Sequence, residues 1–168
     1  MKKIAIIGTA GRGEDASRLT AATYLRMIDA AKHVIKLTGA EAFISGGAAW
    51  ADHVAFDCGL PGIVYLPADA HDLRTAEYYH SKFSEKIETP TWSEVLRPPP
   101  NIAVVKMGTF KSRNLSVARE ADTFIAMTFG LKHNVKDGGT RHTVNAMRAK
   151  GISGYHLDLN TLKLYRAT

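Results

Sequence analysis

A single cysteine, Cys58, stands among 168 residues. No intrachain disulfide can brace the fold, and the chain reads as a protein of a reducing compartment in which Cys58 is a small buried hydrophobe. Only six prolines occur, four of them between Pro90 and Pro100, so most of the chain is open to regular structure. No apolar run approaches the roughly 20 residues of a membrane span. The opening MKKIAIIG meets a glycine too soon for a signal peptide, and a cytoplasmic protein without a membrane partner is expected. Three catalytic signatures are also missing: G-x-x-x-x-G-K-[ST], H-E-x-x-H and G-x-S-x-G. Their absence excludes a P-loop nucleotidase, a zincin site and a serine nucleophile elbow. The seven histidines show no metal-ligand spacing, His71 with Asp69 and Asp72 reads as a polar loop, and neither a metal nor another cofactor is expected.

What is present is 45% apolar and 23% charged residues, the mix of one compact domain, expected over 1–168. At this length roughly two-thirds of the unfolded chain's surface can be buried. The net charge of +6 is unevenly placed: residues 1–100 hold 11 Lys/Arg against 12 Asp/Glu, and residues 101–168 hold 11 against 4. The excess is densest from Lys106 to Lys150. Such a segment fits nucleic acid, an anionic small ligand or a solvated face. Its aromatics are only Phe110, Phe124 and Phe129, sparse for a platform on which bases stack, so the charge is expected to line a small anion pocket, with Lys106, Lys132 and Lys136 facing the same way.

Strands and helices alternate along the chain. Lys3–Ile7 is a continuous apolar run ending at Gly8, the mark of a buried parallel strand. A glycine-rich turn follows, and then a helix capped by Asp15 or Ser17 and ended by Gly39. Strands are expected at Glu41–Ser45, Gly62–Leu66, Ile102–Val105, Thr123–Thr128 and Ile152–Leu157, with Thr161–Tyr165 as an edge hairpin partner. Helices are expected at Ala48–Cys58, Ala76–Lys86, Lys111–Glu120 and Gly139–Lys150, and the proline-rich stretch at about 87–101 reads as a surface excursion. The expected fold is α/β, with a mostly parallel sheet covered on both faces.

Three glycine-bearing turns follow strands or loops and precede helices. The first holds Gly8, Thr9, Ala10 and Arg12, the second Ser45, Gly46, Gly47 and Ala48, and the third Gly138, Gly139 and Thr140. Glycine admits a ligand close to the backbone, and a following helix offers free N–H groups, so each turn suits phosphate or another anion. The first turn spells G-x-x-G-x-G and no acidic residue ends the second strand, which argues against an ordinary dinucleotide site.

Ser45-Gly-Gly-Ala48 with Asp52, then Ser112-Arg-Asn114 ahead of Ala121–Ala126, then Gly139-Thr-Arg-His-Thr143 resemble, in this order, the motifs of the SLOG superfamily. That group includes the Lonely Guy phosphoribohydrolases, the DprA-like proteins and small YspA/YpsA-type proteins, and the chain is most similar to the YspA type over residues 3–156. The resemblance implies a modified Rossmann-like three-layer fold, a nucleotide or nucleotide-derived ligand at the glycine turns, and a homodimer. It implies hydrolysis of the N-glycosidic bond of a nucleoside 5′-monophosphate, with Arg113 on the catalytic arginine. It also leaves two alternatives: a sensor that binds without turnover, and single-stranded DNA binding as in DprA-like proteins. Two positions depart from the pattern. Thr143 replaces the Lonely Guy glutamate, and Trp50 stands where glycine is usual, either stacking on a base or filling the site.

For the remaining candidates the residues leave alternatives open. Arg113 has the planar fork that clamps phosphate, but also suits an ion pair. Asn114 fits a sugar hydroxyl or a helix cap; Thr140 and Thr143 fit a ligand or capping of their own helix. Asp52 fits a ribose hydroxyl, a general base or support of the Ser45 turn. Further candidate carboxylates are Glu14 and Asp15.

Overall fold

The computed structural model describes residues 1–48, 50–68, 100–136 and 138–167. The expected helix over 76–86, nearly all of the proline-rich stretch, and Asp69, His71, Asp72 and Asp137 lie outside the described residues.

Seven strands form one sheet: β1 (Lys3–Gly8), β2 (Ala42–Ser45), β3 (Gly62–Leu66), β4 (Ile102–Lys106), β5 (Thr123–Thr128), β6 (Gly154–Asp158) and β7 (Lys163–Ala167). Their order is β4-β3-β2-β1-β5-β6-β7. Every neighbouring pair is parallel except β6 with β7. Central β1 shows why a continuous apolar run is needed. Because side chains alternate between faces, Ile4 and Ile6 enter one core and Ala5 and Ile7 the other. The first core is covered by helix α2 (Ala21–Thr38) through Met27, Ala30 and Val34 and by a 3-10 segment, Trp50–Cys58, through Val54. The second is covered by α3 (Phe110–Glu120) through Val117 and by α4 (Gly139–Arg148) through Val144 and Met147. Each such large apolar side chain contributes about 1.5–3 kcal/mol on full burial. The result is a three-layer, Rossmann-like α/β sheet. No described helix is long and apolar enough to cross a membrane.

Two expected helices take a different form. The one beginning near Asp15 is split into a short α1 (Asp15–Arg18) and α2, because Leu19 and Thr20 are extended. The Thr20 hydroxyl then accepts from Thr23 N at 3.1 Å, and Gly39, at φ 66°, closes α2 in the left-handed region. Asp15 caps nothing, since its carboxylate turns inward to Thr9. The helix expected from Ala48 is the tighter 3-10 segment and begins at Trp50.

The strand order fixes where a ligand can sit. From β1 the chain proceeds outward through β2, β3 and β4 on one side, and through β5, β6 and β7 on the other. The carboxyl ends of β1 and β5 therefore flank the crevice at which the order reverses. Gly8 lets them meet closely there, because a Cβ on it would stand 2.1 Å from Met127 O.

Candidate functional site

A cleft of about 390 Å³ opens at these strand ends, within the size range of small-molecule sites. It is walled by the first glycine turn, the 3-10 segment, α3, the loop after β5 and the start of α4.

The α3 wall follows from helical spacing. Phe110, Arg113, Asn114 and Val117 share one face and all line the cleft. A capping box starts the helix: Ser112 N donates to Thr109 Oγ1 at 3.3 Å and Thr109 N to Ser112 Oγ at 2.8 Å. Arg113 Nη1 donates to Asp52 Oδ2 at 3.3 Å, and Ala48 N donates to the same oxygen at 3.1 Å. Both side chains are about nine-tenths or more buried, at 10% and 6% exposure. Burial pushes the Asp52 carboxyl up, while Arg113 and the Ala48 amide pull it down. Burial likewise pulls Arg113 down; Asp52 opposes this, and the charge of Arg12 adds to it. Arg113 Nε has no hydrogen-bond partner among the described residues. A buried donor left unpaired costs about 1–3 kcal/mol.

The start of α4 forms a second wall. Its N-cap is Gly138, at φ 126°, which supplies no side-chain cap, so the first-turn N–H groups keep their capacity for an anion. Thr140 Oγ1 donates to Gly8 O at 2.9 Å, tying this helix start to the end of β1. Thr143, 3% exposed, donates to Gly139 O at 2.9 Å. On the opposite side Thr9 Oγ1 donates to Asp15 Oδ2 at 2.7 Å, and Lys136 Nζ reaches Asp15 Oδ1 at 2.5 Å.

The sequence candidates Gly8, Thr9, Ala10, Arg12, Ala48, Asp52, Arg113, Asn114, Gly139, Thr140 and Thr143 are brought together in this lining. Asp15 joins them, whereas five others are not part of the lining, among them Glu14, the exposed N-cap of α1. Ser45 is fully buried and donates to Asp52 O at 3.0 Å, so it holds the turn beneath the cleft. Gly46 and Gly47 are buried in that turn, and Gly138 is an exposed N-cap. Trp50, 1% exposed, packs edge-on against Tyr24 at 5.9 Å and lies under Gly11, so it fills the interior and offers no face to a base. Of the basic stretch, Arg113 and Lys136 line the cleft, while Lys106 and Lys132 do not, so the three lysines do not face one pocket as expected. Sequence reasoning passed over Phe110 and Val117, although their spacing from Arg113 signals them, and Thr128, whose place needs the strand order. Among the described residues no group of three or more His, Cys, Asp or Glu is placed to hold a metal ion.

Fold and cleft together define a Rossmann-like α/β protein with its crevice at the strand-order reversal. No family model matches the chain. It is 30% identical over 167 residues to an uncharacterized protein of Acanthamoeba polyphaga mimivirus, covering 87% of this chain and 91% of the viral one. The chain belongs to the same family as that viral protein. Among solved structures it resembles the X-ray structure of TM1055, a Northeast Structural Genomics Consortium target, with a TM-score of 0.51 and 17% identity. That likeness, over 92% of this chain and 72% of the other, is one of fold.

Proposed function

We propose that this chain is a SLOG-type protein that binds a nucleoside 5′-monophosphate or a closely related nucleotide in the cleft, with the phosphate between Arg113 and the start of α4. The observation that carries the reading is Arg113, nine-tenths buried on the cleft wall with no Nε partner among the described residues, facing a cleft that also holds a helix start whose N-cap, Gly138, supplies no side-chain cap. Arg12 lies close enough to bear on Arg113, and paired cations in a partly dry cleft favour a phosphate. A cleft of about 390 Å³ favours a small ligand over a DNA strand.

Binding without turnover fits the engaged groups. The Thr143 hydroxyl is turned back onto its own helix, and Asp52 Oδ2 accepts from both Arg113 and Ala48. A second reading, N-glycosidic hydrolysis, is favoured by one observation: the carboxylates Asp52 and Asp15 both line this cleft. The C–N bond would break as the base takes up a proton, a carboxylate would stabilise the cationic sugar, and water would then add to the anomeric carbon and give up a proton to that carboxylate or to solvent. Calorimetry with a panel of nucleoside 5′-monophosphates should show binding that Arg113→Ala weakens at least tenfold. Chromatography of the same mixtures separates the readings, since released base means turnover and unchanged nucleotide means a sensor. Absence of binding across the panel would sink both.

A further inference from the structure

Behind the cleft lies a buried polar network that the proposed binding mode does not use. Thr128, at the end of β5, lines the cleft, and its hydroxyl oxygen accepts from Gly130 N and from Lys136 N, both at 3.1 Å. A hydroxyl has two lone pairs and one hydrogen, so the hydrogen goes to its remaining neighbour, His156 Nε2, at 2.8 Å. Nε2 is therefore unprotonated. Nδ1 must carry the ring hydrogen and donate it to Lys132 O at 2.5 Å. Lys132 is gripped from the other side as well, since its N–H donates to Asp158 Oδ2 at 3.0 Å. It sits at φ 54°, a left-handed conformation that a lysine keeps only when its surroundings hold it there. His156 itself is fully buried.

We propose that Lys136 is a third cationic contact for the anionic ligand, and that neutral, Nδ1-protonated His156 positions it by holding the 129–136 loop through Thr128 and Lys132. The ligand role rests on the reading of the cleft given above, whereas the positioning role does not. When the ligand enters, its phosphate competes with Asp15 for the Lys136 ammonium. Protonation of His156 at Nε2 sets two donors against each other at Thr128; once the hydroxyl hydrogen turns away, three donors compete for two lone pairs, so one of the Gly130 and Lys136 amides loses its acceptor. Burial holds the His156 pKa below the usual histidine range; the backbones of Lys132 and Thr128 and the charge of Asp158, on the same strand, oppose this, and Arg148 of α4 adds to it. On its other flank, Tyr165 of β7 stands opposite His156 in register. The loop is thus anchored at neutral pH and loosens as pH falls below the ordinary histidine range.

Nitrogen NMR of the full chain tests the positioning role without a ligand. His156 should be the Nδ1-protonated tautomer at pH 7, and amide exchange at Gly130 or at Lys136 should quicken at least tenfold, beyond the intrinsic pH effect, as it protonates. Thr128→Val should bring the same quickening at pH 7. The opposite tautomer, or exchange indifferent to His156, overturns the proposal. Calorimetry at constant ionic strength then uses sulfate, which stays doubly charged throughout. Lys136→Gln should weaken sulfate about tenfold, as expected for a lost charged hydrogen bond. Wild-type affinity should fall across the His156 titration, and His156→Gln, which keeps an amide for Thr128 but does not titrate, should remove that fall. Sulfate binding lost in Arg113→Ala but unchanged in Lys136→Gln overturns this proposal and leaves the functional reading intact. Failure of both sulfate and nucleotides to bind wild type overturns the functional reading and the ligand role of Lys136 together.

Discussion

Arg113 occupies the space that a side chain on Gly46 would need: a Cβ there would stand 1.4 Å from Nη1 and 2.6 Å from Cζ of the guanidinium. The glycine of the second turn is therefore required by an arginine 67 positions later in the chain. Neither is accounted for alone. Gly46→Ala should expel the guanidinium from Asp52, cost up to about 3–5 kcal/mol of stability because the buried pair is broken, and weaken nucleotide binding as much as Arg113→Ala does. Chemical denaturation and calorimetry on the two variants check this, and a well-folded Gly46→Ala with unaltered affinity would count against the placement of Arg113.

The same pair sets an expectation for Asp52. Removing one member of a buried ion pair strands the other, at a cost of about 3–5 kcal/mol, so Asp52→Ala should be severely destabilised. Asp52→Asn keeps an oxygen for Arg113 and for the Ala48 amide, and its loss should be smaller. A double-mutant cycle with Arg113→Met should show strong coupling, because the second substitution removes the stranded charge. Additive losses in the cycle would mean that the two side chains do not depend on each other.

Much of the scaffold was legible in the sequence because a parallel sheet buries both faces of its strands. The runs Gly62–Leu66 and Thr123–Thr128 are strands at the expected bounds, each an uninterrupted apolar segment closed by a turn or capping residue. The break at Leu19 and Thr20 was hidden, since Leu19 continues the apolar pattern of a helix and Thr20 is a cap only once the chain turns there. In the cleft, the order of the glycine turns located the walls, because close backbone approach leaves its mark as glycine. Contacts made by long side chains leave no such mark. The meeting of Lys136 with Asp15, 121 residues apart, depends on how the loop after β5 is anchored, and that anchoring comes from β6.

Cys58 is half-buried against the first core, less buried than expected, and gives a chemical test of it. Its Sγ donates to Val54 O at 3.2 Å, and burial pushes the thiol up to about 12, with Lys32 opposing and Asp57 adding. Only the thiolate is nucleophilic, so at pH 8 its alkylation should be about a thousandfold slower than that of an ordinary exposed thiol. Iodoacetamide labelling followed by mass spectrometry measures the rate. Labelling at the rate of a free thiol would mean that the 3-10 segment opens readily or is packed differently.

Trp50 sets two physical effects against each other at one position. Its φ of 62° is unusual for a tryptophan, and a glycine there would relieve strain of about 1–3 kcal/mol. Yet the indole is 1% exposed, packs on Tyr24, and lies where a Cβ on Gly11 would come within 2.8 Å of it. Emptying that volume costs about 3–5 kcal/mol by analogy with other large core truncations. Packing should win, so Trp50→Gly should lower stability by a net amount below the full cavity cost. Nucleotide affinity should change little where the variant remains folded, since the ring offers no face to the cleft. Denaturation would measure the first effect and calorimetry at low temperature the second; a stabilised variant, or one that loses affinity while fully folded, would place the indole in the site instead of beneath it.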